Sequence, residues 1–237
     1  MKRENAKLII ALDGQSPDAA IQVVDTLGDR IEYYKVGMET FYGAGHIMLA
    51  QLASRGKKLV IDLKLHDLPT TVARSVKALC QFSPFMITLH AAGGPSMLKA
   101  AAAAAAEWAK QTGRPRPQLV ALTVLTSLNE GEWFEIGYQN QIRESVLRMS
   151  MMAREAGMDG VIAASTEAAA IRALCGANFL IVTPGIRLAS EQANDQARTS
   201  TPAQALKAGA DYLMVGRPVL LAEDPVQAVE SFLADMV

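Results

Sequence analysis

Leu59-Val60-Ile61-Asp62-Leu63-Lys64-Leu65-His66-Asp67 is a short apolar run that ends in charge. On a strand, residues two apart share a face, so Asp62 and Lys64 are expected to project the same way from the end of a buried strand. Placing ions there costs several kcal/mol each, roughly, unless they are paired. Such a cluster points to a place where charge does chemistry.

The pattern recurs along the chain. Apolar runs stand at Lys7–Leu12, Tyr33–Val36, Lys58–Leu63, Phe85–Leu89, Gln118–Leu122, Gly160–Ala163, Phe179–Val182 and Tyr212–Val215. Helix-forming segments lie between them, for example Asp18–Leu27, Ile47–Ser54, Thr71–Cys80 and Met97–Lys110. Continuous apolar strands that alternate with helices predict a parallel sheet covered by those helices. Eight such units in 237 residues predict a single α/β domain over residues 1–237, a closed (β/α)8 TIM barrel. A doubly wound open sheet is the competing architecture. The run Ala100–Ala106 reads as helix, because alanine has the highest helix propensity and permits close packing.

Composition narrows the class. The net charge is −1 and no basic patch dominates, so nucleic acid is not an expected partner. Cys80 and Cys175 lack paired spacing and read as small buried residues of a reduced compartment. The run Leu8 to Leu12 is too short and too poorly flanked for a signal peptide, and no stretch approaches the ~20 residues of a membrane span. A soluble cytoplasmic protein is the expectation.

Several expected strands end in polar groups: Asp13 after the first, Lys35 in the second, Asp62 and Lys64 in the third, His90 in the fourth. In a barrel these ends converge on one mouth, where Lys35, Asp62 and Lys64 form an alternating array and Asp67 adds a second negative charge. An ion-pair network that merely closes the mouth explains any one of these charges better than all of them. Pro69 ends the strand, so Asp67 either turns back into its own site or points into a neighbouring subunit; both stay open. After the eighth strand, Gly216-Arg217-Pro218 offers a close-approach amide and a charged fork for an anion, with a solvated turn as the alternative. The polar segment from Pro184 to about Ser200 reads as a loop over the same mouth, with Arg187 and Gln196 able to close on that anion. Thr126 and Ser127 follow the fifth strand and either bind a polar ring or cap a helix. Lys35 and Lys64 compete for the carboxylates a metal would need, so no metal is expected.

These motifs together resemble the orotidine 5′-phosphate decarboxylase family. The likeness lies in Asp62-Leu63-Lys64-Leu65-His66-Asp67-Leu68-Pro69-Thr70-Thr71, which matches the family's Asp-x-Lys-x-x-Asp signature. It extends through Ala11-Leu12-Asp13, Tyr34-Lys35-Val36-Gly37, Thr183-Pro184-Gly185-Ile186-Arg187, Asp195-Gln196-x-Arg198-x-x-Thr201-Pro202 and Val215-Gly216-Arg217-Pro218. It covers the chain in order and is similar to the short bacterial form. The resemblance implies decarboxylation of orotidine 5′-phosphate to uridine 5′-phosphate, the last step of UMP synthesis, without a cofactor. It also implies a homodimer with composite sites, in which Asp67 and Thr71 serve the partner. By the same resemblance Lys64 donates the proton, Asp62 faces the substrate carboxylate, and Lys35 ties Asp62 to the ribose. Asp13 binds a ribose hydroxyl and Thr126 the pyrimidine, while Gln196, Arg217 and the Gly216 amide hold the phosphate with Arg187 nearby. The family commonly has asparagine where Thr70 stands. Two other functions compete: a magnesium-dependent enzyme like 3-keto-L-gulonate 6-phosphate decarboxylase, which shares the signature, and a non-catalytic nucleotide-binding barrel.

Overall fold

The computed structural model describes residues 7–189 and 198–236. All eight expected runs are strands: β1 (Lys7–Ala11), β2 (Tyr33–Gly37), β3 (Lys58–Leu65), β4 (Met86–His90), β5 (Gln118–Leu122), β6 (Gly160–Ile162), β7 (Leu180–Thr183) and β8 (Tyr212–Val215). They pair in parallel in chain order, and β8 closes on β1 through Leu8↔Leu213 and Ile9↔Met214. The sheet is therefore a closed (β/α)8 barrel, and the open-sheet alternative falls. β3 runs two residues beyond its expected end at Leu63, so Lys64 belongs to the strand.

Alternation along each strand divides the core in two. Ile10, Tyr34, Ile61, Ile87, Ala121, Val161, Ile181 and Leu213 face outward, in one cluster with the apolar faces of the helices. Ile9, Tyr33, Val60, Met86, Val120, Ile162, Val182 and Met214 fill the barrel interior. Because both faces of every strand are covered, the strands read as continuous apolar runs.

Local signals start and stop the helices. The Ser16 hydroxyl accepts the Ala19 amide and Pro17 opens helix Pro17–Leu27. Asp224 accepts the amides of Val226 and Gln227 at the start of Pro225–Asp235. Capping boxes, Asn129 with Glu132 and Thr201 with Gln204, begin Glu130–Glu135 and Pro202–Ala208. The alanine run lies in helix Gly94–Thr112, where Ala101, Ala104 and Ala105 are buried and the small side chains let it pack along helix Pro69–Cys80. Both cysteines are buried thiols. Among the described residues no helix is long and apolar enough to cross a membrane.

The two ends of the barrel differ. At the N-terminal end, Tyr33 meets Phe85 and Tyr212 edge-on, with ring centroids 5.0 and 5.6 Å apart. The Lys58 ammonium stands 5.1 Å from the centre of the Tyr33 ring. At the C-terminal end the interior positions of β2 and β3 change from apolar to charged, at Lys35 and Asp62.

Candidate active site

β2 and β3 each place one charged side chain in the barrel mouth one layer above an apolar one: Lys35 two residues beyond Tyr33, and Asp62 two beyond Val60. Both are nearly inaccessible, 5% and 3% exposed, so each must be satisfied by its neighbours. Lys35 Nζ lies 2.5 Å from Asp13 Oδ2 and 3.3 Å from Asp62 Oδ2. Lys64 Nζ lies 3.0 Å from the same Asp62 oxygen. Asp13, Lys35, Asp62 and Lys64 thus form one chain of alternating charge.

Electrostatics hold that chain ionised. Burial alone would raise the Asp62 carboxyl, but the Lys35 and Lys64 ammoniums outweigh it and leave the carboxyl below its ordinary range. Burial likewise works against the Lys35 charge, and the Asp62 and Asp13 carboxylates overcome it and raise the ammonium above its ordinary value. Stripping such a buried ion of its last counter-charge costs about 3–5 kcal/mol.

Asp62 and Lys64 meet as expected, but plain strand alternation does not bring them together. The β3–β4 register passes from Ile61↔Ile87 to Leu65↔Leu89 with a shift between. β3 advances four residues while β4 advances two, so β3 bulges. Lys64 sits inside the bulge with φ 49°, a left-handed conformation that non-glycine residues adopt at a cost of order 1–3 kcal/mol. Opposite it stands Thr88, fully buried, whose hydroxyl accepts the Lys64 amide at 2.9 Å and donates to Asp62 Oδ1 at 2.9 Å. Sequence reasoning passed over Thr88, since a threonine within a strand is what β-propensity expects.

Gly37 is a second residue whose contribution emerges from the geometry. Its amide donates to Asp13 Oδ1 at 3.1 Å. A Cβ there would fall 2.2 Å from that oxygen and 2.7 Å from Lys35 Nζ, so any side chain would break the Asp13–Lys35 pair.

Asp13, Lys35, Asp62 and Lys64 line a cavity of about 460 Å³ at the mouth. Thr126 and Ser127 after β5, Arg187 after β7, and Gly216 and Arg217 after β8 line the same cavity. Thr126 and Arg187 are buried and Arg217 is exposed. A Cβ on Gly216 would meet nothing closer than Ala11 at 3.5 Å, so its amide is approachable. The helix after it, Arg217–Leu220, is a single turn, so any anion there relies on the Arg217 guanidinium and local amides more than on a macrodipole. The feet of the polar segment after β7 are tied together: Arg187 N donates to Ser200 O at 3.0 Å, and Ser200 N to Gly185 O at 3.3 Å. Gln196 lies outside the described residues.

Asp67 and Thr71 are not brought to this cavity. Both are exposed, and Asp67 Oδ1 accepts the Leu68 amide at 2.6 Å. Between them Leu68 is 69% exposed. The two histidines at the same end stack, His66 on His90, with centroids 5.1 Å apart. Burial, then the nearby His66 and Lys64, lowers the His90 pKa. Among the described residues no three of His, Cys, Asp and Glu are grouped to hold a metal. A larger cavity, about 710 Å³, borders helix Ile142–Glu155, with Tyr138 and Met149, Met151 and Met152 in its wall. The alternating charges converge on the smaller one.

Residues 6–232 match the family model described as Orotidine 5′-phosphate decarboxylase / HUMPS family. An orotidine 5′-phosphate decarboxylase of Moorella thermoacetica is 45% identical over 231 residues, covering 97% of this chain and 92% of that protein. One from Legionella pneumophila is 43% identical over 230 residues, 97% and 99% of the two chains. The crystal structure of orotidine 5′-phosphate decarboxylase from Lactobacillus acidophilus superposes with a TM-score of 0.86 at 35% identity, over 98% of this chain and 99% of that one. This chain, a closed barrel with Asp62 and Lys64 of the Asp-x-Lys-x-x-Asp signature in its mouth and matched over nearly its full length by such relatives, belongs to the orotidine 5′-phosphate decarboxylase / HUMPS family.

Proposed function

We propose that residues 1–237 serve as one catalytic barrel that decarboxylates orotidine 5′-phosphate to uridine 5′-phosphate in pyrimidine synthesis. The observation that carries this reading is the Lys35–Asp62–Lys64 array, at 3.3 and 3.0 Å, lining one cavity together with Thr126, Arg187 and Arg217. An anionic nucleotide has a cationic end to bind and a charged end at which to react.

In the reaction the bond between C6 of the pyrimidine and the carboxylate carbon breaks, and carbon dioxide leaves without the electron pair. That pair stays on C6, where no ring atom accepts it readily. The demand on the protein is therefore a preorganised positive charge at C6, which then supplies a proton. Lys64 meets it: its ammonium stabilises the developing carbanion, passes one proton to C6, and recovers a proton from water. Asp62 keeps Lys64 ionised and aimed, and sits where the leaving carboxylate is repelled. Lys35 keeps Asp62 ionised and, with Asp13, presents polar atoms to the ribose. Thr126 contacts the ring. Arg217, the Gly216 amide, Arg187 and Gln196 hold the phosphate, whose binding energy orients a reacting centre remote from it.

The test is the loss of orotidine 5′-phosphate absorbance on adding the purified protein, with and without EDTA. Turnover that survives EDTA is expected. Turnover abolished by EDTA and restored by magnesium would favour a metal-dependent enzyme, and binding without turnover a non-catalytic barrel.

The proposal includes a cytoplasmic homodimer. Asp67 and Thr71 stand exposed beside Leu68, away from their own cavity, as residues that serve a partner's site would. Mixing inactive Asp67→Asn chains with inactive Lys64→Ala chains should then restore part of the activity, because one site of each hybrid dimer carries neither lesion. Hybrid dimers that form and stay inactive would place Asp67 in its own subunit's site. Fractionation of cells expressing the protein checks the compartment.

A further inference from the structure

We propose that Thr88 is a positioning residue that sets the aim of Lys64 by bonding both halves of the β3 bulge. The inference deepens the decarboxylase reading and rests on it.

A hydroxyl carries one proton. A carboxylate only accepts, so the Thr88 proton is committed to Asp62 Oδ1, and its lone pairs are left for the Lys64 amide. The two bonds run in sequence, from the Lys64 N–H to the Thr88 oxygen and from the Thr88 proton to Asp62. Both lie in or beside a fully buried side chain, where water cannot substitute. In an unbroken parallel ladder the β3 amides would pair with the β4 backbone. The shift between Ile61 and Leu65 breaks that pairing, and the Thr88 hydroxyl takes the Lys64 amide in its place.

Two consequences meet at the ammonium. The bond to the amide holds Lys64 in its left-handed conformation, which sterics alone disfavour. The bond to Oδ1 turns the Asp62 carboxylate so that Oδ2 faces both Lys35 and Lys64. Thr88 lies outside the residues that line the cavity, so it acts only through Asp62 and Lys64. Among the described residues, the groups that would bind the phosphate, after β7 and β8, make no hydrogen bond to it. Its loss should therefore appear in the chemical step and not in nucleotide binding.

Thr88→Val keeps the shape and β-propensity of the side chain and removes the hydroxyl. We expect kcat for orotidine 5′-phosphate to fall about 10- to 100-fold, the scale of a hydrogen bond to a charged group, with KM within about threefold. Thr88→Ser, which keeps the hydroxyl, should retain most of the wild-type kcat. A Thr88→Val protein with kcat within about twofold of wild type overturns the role. So does a serine variant that falls as far as the valine one, or a KM that rises in step with the loss of kcat. Should Thr88→Val not fold, Thr88→Cys offers only a weak thiol donor in similar volume; the same split is expected, and wild-type kcat in the folded cysteine variant overturns the role. An inactive wild-type protein removes the decarboxylase reading and this role with it, whereas loss of the split in an active protein removes this role alone.

Discussion

The two ends of the barrel interior are built from the same strands with the same alternation, yet they hold opposite kinds of matter. β2 supplies Tyr33 to one end and Lys35 to the other; β3 supplies Val60 and then Asp62. Below, Tyr33, Phe85 and Tyr212 close the barrel with aromatic edges and faces. Above, Lys35, Asp62 and Lys64 share one carboxylate oxygen, Asp62 Oδ2. Two residues of rise separate a region that stabilises the fold from one that spends part of that stability on held charge.

Substitutions at the two ends should therefore fail differently. The largest effect is expected for Lys64→Ala, which removes the proposed proton donor and the proposed charge at C6: kcat should fall by about 10⁴-fold or more. Uridine 5′-phosphate should still bind, and the melting temperature should move little, because Lys35 still pairs Asp62. Substantial turnover by this variant, measured against a blank lacking protein, would break the assignment of chemistry to the upper end. Next comes Tyr33→Ala at the lower end. Tyr33 is 4% exposed, and emptying its site should cost about 3 kcal/mol, or roughly 6–12 °C for a chain of this size. Its kcat at 25 °C should stay within about twofold of wild type. A melt that does not move, or a kcat that falls with it, would show that the two ends are not separable.

The smallest effect is the pH dependence that the upper end contributes. The Asp62 carboxyl is lowered in the folded protein, so its contribution is complete above the unfolded value near 3.8 and is lost as pH falls through the folded value. The Lys35 ammonium is raised, so its contribution is complete below the unfolded value of 10.5 and is lost as pH rises through the folded value. Stability from these ions should be flat across neutral pH. Melting curves of wild type and Asp62→Asn should run parallel from pH 5 to 9, and the gap between them should narrow as pH falls below about 4. A gap that widens in acid would contradict the depressed carboxyl.

The architecture was legible because its signals are local. Eight apolar runs and the helix formers between them suffice to predict the barrel, and charges at the ends of those runs suffice to find the mouth. The pairing of Asp62 with Lys64 was also expected, though from alternation, whereas the structure uses a bulge and a left-handed lysine. Thr88 was illegible for a physical reason: its two bonds join β4 to both sides of that bulge, and nothing in Met86-Ile87-Thr88-Leu89-His90 announces what lies across the ladder. Gly37 belongs to the Tyr34-Lys35-Val36-Gly37 motif, but the need for hydrogen at its Cα appears only once Asp13 and Lys35 have closed around it. Asp67 and Thr71 belong to a third category, since no fold of a single chain decides what a neighbouring copy receives.

The bulge in β3 also divides the signature into a buried half and an exposed half. On its near side, Ile61 is fixed to Ile87, and Asp62 follows directly. On its far side the ladder is re-anchored once, at Leu65↔Leu89, before the chain leaves for Asp67 and Thr71. Between the two anchors the Thr88 hydroxyl takes the Lys64 amide and bonds Asp62, so the extra residues are held in place. One six-residue motif in this way turns a buried carboxylate inward at Asp62 and an exposed one outward at Asp67.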